Sequence, residues 1–297
     1  MVISVSRRCD IPRFAFKWFL ERINEGFVDV RNPFNANQVK RVTLLPPLGT
    51  GLLSQELPST GDKAEVFAFW TRDPASILEN SETLERLGYG FYVMISITAY
   101  PAVLEPNAPP ANEIIQKMGN LAKKITADRV IWRYDPLFLS SITDFDFHRR
   151  NFAGIATRLN GTVNRVILSV YDPYPRAEKR LAALERKGIL ERTFHNQPEL
   201  PHELQPEFRS LLSELACIAR REGMEIQSCA EDLSDCGIKS GACIDWEYLG
   251  KVFGSINPGL AALKKDPGQR GRCLCAESTD IGSYGSCPAG CVYCYAS

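Results

Sequence analysis

The chain has 297 residues, 44% of them hydrophobic, with 35 Lys and Arg against 35 Asp and Glu. That is enough for one large α/β domain or two small ones with a sizeable core. The zero formal net charge excludes binding driven by bulk attraction to phosphate, although a local basic patch stays open. No apolar run reaches the length of a membrane span. The opening MVISVSRR has no charged region followed by an apolar one, so no secretory signal is expected.

Along the chain, compact apolar runs alternate with helical stripes. Strands are predicted at Val2–Ser6, Gly26–Val30, Glu65–Trp70, Phe91–Thr98, Arg129–Trp132, Arg165–Val170 and Met224–Gln227, with a shorter one at Val42–Leu45. Most are rich in Val, Ile, Phe and Tyr, as expected of strands buried on both faces. Phe16, Phe19, Leu20 and Ile23 recur at helical spacing, and Gly26 closes that run. Asp73-Pro74 opens a second helix that Gly88 ends. Further stripes run through Ile114, Met118, Leu121 and Ile125, through Phe152, Ile155 and Leu159, and through Phe208, Leu211, Leu215 and Ile218. Residues 105–111 read as a surface loop. Regular βα alternation predicts a parallel sheet, as a full or partial (β/α) TIM-like barrel or, as the main rival, a doubly wound open sheet. The predicted division is a barrel body over residues 1–228 and a cysteine-rich region over 229–297 packed on it.

Several predicted strands end in a charged residue close to a proline. Examples are Arg72-Asp73-Pro74, Arg133-Tyr134-Asp135-Pro136 and Asp172-Pro173, while the first strand runs into Arg7-Arg8-Cys9-Asp10. Parallel α/β folds build their sites at the carboxyl ends of strands. Helix capping explains an Asp before Pro equally well. It does not explain Arg133, which sits between Trp132 and Tyr134 and needs an anionic partner, structural or on a ligand. The chain carries no Gly-rich phosphate loop. His195 and His202 read as exposed loop residues.

The ten cysteines are unevenly placed. Cys9 and Cys217 stand apart, read as a small apolar filler and a core residue, and the other eight lie between residues 229 and 294. A long cysteine-poor body before a cysteine-dense tail favours a cytoplasmic protein with reduced thiols as metal ligands. The tail reads Cys287-Pro-Ala-Gly-Cys291-Val-Tyr-Cys294-Tyr-Ala-Ser297. Three thiolates spaced this way converge if the loop wraps tightly, which Gly290 assists. Soft thiolates select zinc, copper(I) or iron–sulfur clusters. Cys229, Cys243, Cys273 and Cys275, with Cys236 as a substitute, supply enough thiolates for a second centre, either a closed [4Fe–4S] cluster or a structural zinc.

Cys287-x3-Cys291-x2-Cys294, followed by Tyr295-Ala296, resembles the signature of the radical S-adenosylmethionine enzymes, especially the branch that includes spore photoproduct lyase. The fuller pattern is similar to a bacterial domain-of-unknown-function family with such cysteines at its C-terminus. The stretches that carry it are Ser6–Pro12, Val30–Asn35, Phe69–Pro74, Ile131–Pro136 and Asp280–Tyr284. The resemblance implies a [4Fe–4S] cluster on Cys287, Cys291 and Cys294, with S-adenosylmethionine on the open iron. Arg133 and Arg72 then become candidates to pair with the cofactor or substrate carboxylate. Asp135 and Asp10 become candidates to hydrogen-bond ribose or substrate. It also implies an electron donor such as ferredoxin or flavodoxin. Nucleic acid is disfavoured as substrate by the neutral charge. Radical S-adenosylmethionine proteins place the triad near the N-terminus, whereas here it ends three residues before the end of the chain, so the tail must fold back over the strand ends. The alternatives are a redox or structural iron–sulfur protein and a zinc-stabilised binding module.

Overall fold

The computed structural model describes residues 1–33, 35–44, 64, 66–192, 205–254 and 264–297. Six predicted apolar runs form strands β1 (Val2–Val5), β4 (Val66–Thr71), β5 (Gly90–Ser96), β6 (Val130–Leu137), β7 (Arg165–Val170) and β8 (Glu225–Cys229). All are neighbours in one parallel sheet, in the order β1-β4-β5-β6-β7-β8. The protein is therefore α/β, with a mostly parallel central sheet.

Two predicted strands lie elsewhere. β2 (Phe27–Asn32) and β3 (Asn35–Thr43) form a separate antiparallel ribbon. Val28 and Val42 are buried, but Asp29, Arg31, Lys40 and Arg41 face solvent. An alternating strand of that kind has one wet face and cannot enter a sheet buried on both sides. Leu45 and Glu65, at the ends of two predicted runs, lie outside the described residues.

The C-terminal region supplies both edges of the main sheet. β9 (Lys239–Gly241) pairs with β8, and β10 (Ser278–Asp280) pairs with β1. The region beyond residue 228 thus adds both edge strands to the same sheet. β9 and β10 are not paired with each other among the described residues. A backbone hydrogen bond of 2.9 Å from Ala276 N–H to the Ile244 carbonyl joins the stretches beside them.

Side chains alternate between two cores. On one face, Phe67, Phe69, Phe91, Trp132 and Leu168 pack against helices α2 (Phe16–Glu25), α3 (Ala75–Arg86), α4 (Ala111–Ile125), α5 (Phe145–Leu159) and α7 (Gln205–Arg221). These are the helices that the stripes predicted. α1 (Ile11–Phe14), a single turn, precedes α2. On the other face, Ala68, Trp70, Tyr92, Met94 and Ile167 meet Ile244, Leu249 and Phe253, the last two on α8 (Trp246–Phe253). α6 (Pro175–Arg186) packs under the C-terminal tail through Ala177 and Leu181. No helix among the described residues is long and apolar enough to cross a membrane.

Candidate metal centre

Parallel strands bring their carboxyl ends to one side, and the loops leaving them surround a cavity of about 600 Å³. Arg7, Cys9 and Asp10 after β1, Arg72 after β4, Arg133 and Asp135 on β6, Asp172 after β7 and Cys229 on β8 all line it. So do Cys243, Cys273 and Cys275 and the triad Cys287, Cys291 and Cys294.

The tail folds back onto the strand ends and is held there by several contacts. The Arg180 guanidinium of α6 donates to the carbonyls of Val292 (2.9 Å), Ser297 (2.6 Å) and Cys294. Val292 N–H donates to the Leu104 carbonyl at 2.9 Å, and the Tyr295 hydroxyl donates to the Arg7 carbonyl at 2.7 Å. Gly290 has φ +70°, the left-handed conformation that lets the loop turn between Cys287 and Cys291.

Within the triad, Cys291 is buried while Cys287 and Cys294 are half-buried. Backbone N–H groups of Ala289 and Asp10 point at the Cys287 sulfur. Ala296 N–H lies 3.3 Å from the Cys294 sulfur. Such bonds are the outer-shell support that ligating thiolates use. Burial pushes the thiols of Cys287 and Cys291 up, and on Cys291 the Arg72 charge opposes this in part. Burial thus favours the neutral thiol at both positions.

The charged candidates divide by their partners. Arg72 is already paired. It lies 3.0 Å from Glu105, and the Tyr293 hydroxyl, 2.5 Å from Arg72, donates to the same carboxylate. Within the fold its charge faces the Glu105 carboxylate. Asp10 accepts backbone N–H groups on both oxygens, from Arg13 at 3.1 Å and Arg72 at 2.9 Å, so it caps α1 and ties that turn to β4. Asp172 pairs with Arg270, and Asp73 pairs with Lys117 at 2.9 Å. Arg133 pairs with Asp135, yet its Nε is buried without a partner, as is the Nε of Arg7.

Several residues carry signals the sequence hid. Glu105 heads the stretch read as a surface loop, yet is 3% exposed because Arg72, Thr98 and Tyr293 enclose its carboxylate. Cys217, read as core, is exposed. It stands two residues beyond Leu215, about 200° round the helix from that buried position. Cys9 lines the cavity, whereas Cys236 packs in the apolar core and not among the cavity thiols. His195 and His202 lie outside the described residues.

The other four thiols line the same cavity. Cys229 and Cys243 sulfurs are 3.5 Å apart. The neighbouring Cys243 and Cys273 thiols, with Arg7 close by, hold the Cys275 thiol well below its usual range. Among the described residues, no group of three or more His, Cys, Asp or Glu is arranged to hold a metal ion. A single ion draws its ligands to one point.

The chain matches the model of the family described as a domain of unknown function, DUF1848, over residues 2–296, and it belongs to that family. Comparison with curated proteins and with solved structures finds no match.

Proposed function

We propose that the protein is an iron–sulfur enzyme of the radical S-adenosylmethionine type, with Cys287, Cys291 and Cys294 as ligands of a [4Fe–4S] cluster. The observation that carries this reading is that the three thiols share one cavity with the unpartnered Nε of Arg133 at the strand ends. When bound, the cluster with S-adenosylmethionine supplies reductive cleavage of a sulfonium and hence radical chemistry. The chain itself would bind, orient and exclude water. Its cavity volume falls within the range of small-molecule sites. Arg133 would offer a buried N–H to a cofactor or substrate carboxylate, and Asp135 beside it would hold that guanidinium in place.

The crossover helices α2, α3, α4, α5 and α7 pack on one sheet face, which favours an incomplete (β/α) barrel over a doubly wound sheet. All ten cysteines are free, which suits a reducing cytoplasm and a small electron-donor partner such as ferredoxin or flavodoxin.

The test is electron paramagnetic resonance on anaerobically reconstituted, dithionite-reduced protein, with and without S-adenosylmethionine. A cluster signal that changes on adding the cofactor, with release of 5′-deoxyadenosine, is the expected result. A signal indifferent to the cofactor would move the reading to a redox or structural iron–sulfur protein. Stoichiometric zinc without iron would move it to a zinc-stabilised module.

A further inference from the structure

Outside the triad, the densest cluster of metal-ligating side chains is Cys229, Cys243, Cys273 and Cys275. They come from the end of β8, from the turn after β9 and from the loop before β10. The set therefore bridges the two edges of the sheet, beside the Ala276–Ile244 backbone bond. All four side chains are buried, at 8%, 5%, 5% and 3% exposure. The Cys229 and Cys243 sulfurs stand 3.5 Å apart, and Cys273 and Cys275 line the same cavity.

We infer that these four cysteines hold a second iron–sulfur cluster, ligated entirely by protein, that joins the two sheet edges. Three observations separate this from the other readings. Inert buried cysteines sit in apolar surroundings. These four pack in the apolar core of one sheet face, but they also line a cavity and feel two arginine charges, Arg7 on Cys275 and Arg133 on Cys243. Each of those guanidiniums has a buried Nε with no partner. A cluster with four thiolates carries about two net negative charges, which the Arg7 charge offsets in part; Arg133 is already paired with Asp135.

A disulfide needs the sulfurs at about 2.05 Å, whereas Cys229 and Cys243 stand 3.5 Å apart. A single structural zinc needs its thiolates around one point, usually from C-x2-4-C pairs. Cys273 and Cys275 have one residue between them, and no three of the four are arranged for an ion. Four thiols drawn from three separate segments match the four protein ligands of a closed cluster. The site does not depend on whether the triad binds S-adenosylmethionine.

The experiment is iron and sulfide analysis with Mössbauer spectroscopy on the full chain, reconstituted anaerobically with iron and sulfide. In the triple variant Cys287→Ala, Cys291→Ala, Cys294→Ala, about four irons per chain should remain. In the double variant Cys229→Ser, Cys243→Ser, the iron should fall by about four per chain relative to the native protein, with any response to S-adenosylmethionine unchanged. Absence of iron from the folded triple variant, or zinc in its place, would overturn the inference. Should the triple variant not fold, undiminished iron in the double variant overturns it equally. Failure of the radical reading shows separately, as a native cluster indifferent to S-adenosylmethionine.

Discussion

The guanidinium of Arg72 lies 3.0 Å from the carboxylate of Glu105, and the Tyr293 hydroxyl between Cys291 and Cys294 completes the group. The Glu105 side chain is 1% exposed and that of Arg72 is 12% exposed. The pair thus fastens the strand-end face to the cysteine loop from below. Removing one partner of a buried ion pair leaves the other charge uncompensated, at a cost of about 3 kcal/mol or more. Glu105→Gln keeps the shape and deletes the charge. Urea unfolding should show that loss, together with weaker retention of iron after reconstitution. A change below about 1 kcal/mol would mean that Arg72 finds another anion, and the pairing would not be what seats the loop.

The parallel strands were legible because burial on both faces writes a continuous apolar run, as in Val66–Thr71 and Arg165–Val170. The edges were not. Lys239-Ser240-Gly241 and Ser278-Thr279-Asp280 have no apolar signal, and they are strands only because β8 and β1 present unpaired backbone to them. The cavity was legible from the charged strand ends, whereas nothing in the spacing of Cys287, Cys291 and Cys294 says that the tail reaches that face. Nor were their electrostatics legible. Which carboxylate would meet Arg72 depended on Glu105 turning inward from a Pro-rich stretch, a tertiary event with no local pattern. Likewise Asp280, before Ile281-Gly282, shows no local pattern for its role. In the fold it accepts from Ser4 and Ser6 at 2.6 Å and from Arg7 N–H at 2.8 Å, and so holds β10 on β1.

Arg180 holds the tail through three carbonyls, so its loss should loosen the tail without unfolding the body. Hydrogen bonds from a charged donor contribute about 1.5–3 kcal/mol each when intact. Local opening of the tail should therefore become at least about tenfold more frequent in Arg180→Ala. The readout is alkylation of Cys291, 8% exposed in the native fold, in apo protein carrying Cys217→Ser to remove the exposed thiol. Unchanged alkylation would show that Val292 and Tyr295 hold the tail without Arg180.

Gly290→Ala tests the turn inside the triad. A Cβ at φ +70° costs about 1–2 kcal/mol, and here it would also sit 3.3 Å from Pro106 Cγ. The expected outcome is a native-like far-ultraviolet spectrum with reduced iron retention. Full retention would show that the spacing of Cys287 and Cys291 tolerates another turn.

His148 gives the fold a predictable acid limit. Its ring is fully buried on α5. Nε2 lies 3.1 Å from the Phe138 carbonyl, which only accepts, so the proton sits on Nε2. Nδ1 then accepts from the Tyr134 hydroxyl at 2.7 Å. Both nitrogens are satisfied by the neutral ring, and burial lowers the His148 pKa to about 4. In the unfolded chain a histidine titrates near about 6.5. Because the folded value is the lower one, the unfolded state takes up the proton first as pH falls. The stabilisation is complete above about pH 6.5 and is lost progressively down to about pH 4, by something on the order of 3 kcal/mol. Asp144, the one charge that acts on the ring, raises its pKa slightly and does not reverse the sign. Urea unfolding at pH 7 and pH 5 should show the native protein weakening on acidification. His148→Gln, less stable at pH 7, should show a flatter dependence. An equal slope in both proteins would place the acid sensitivity on other groups; Glu231 is not one of them, because burial raises its pKa to about 7 and it stabilises the fold as pH falls.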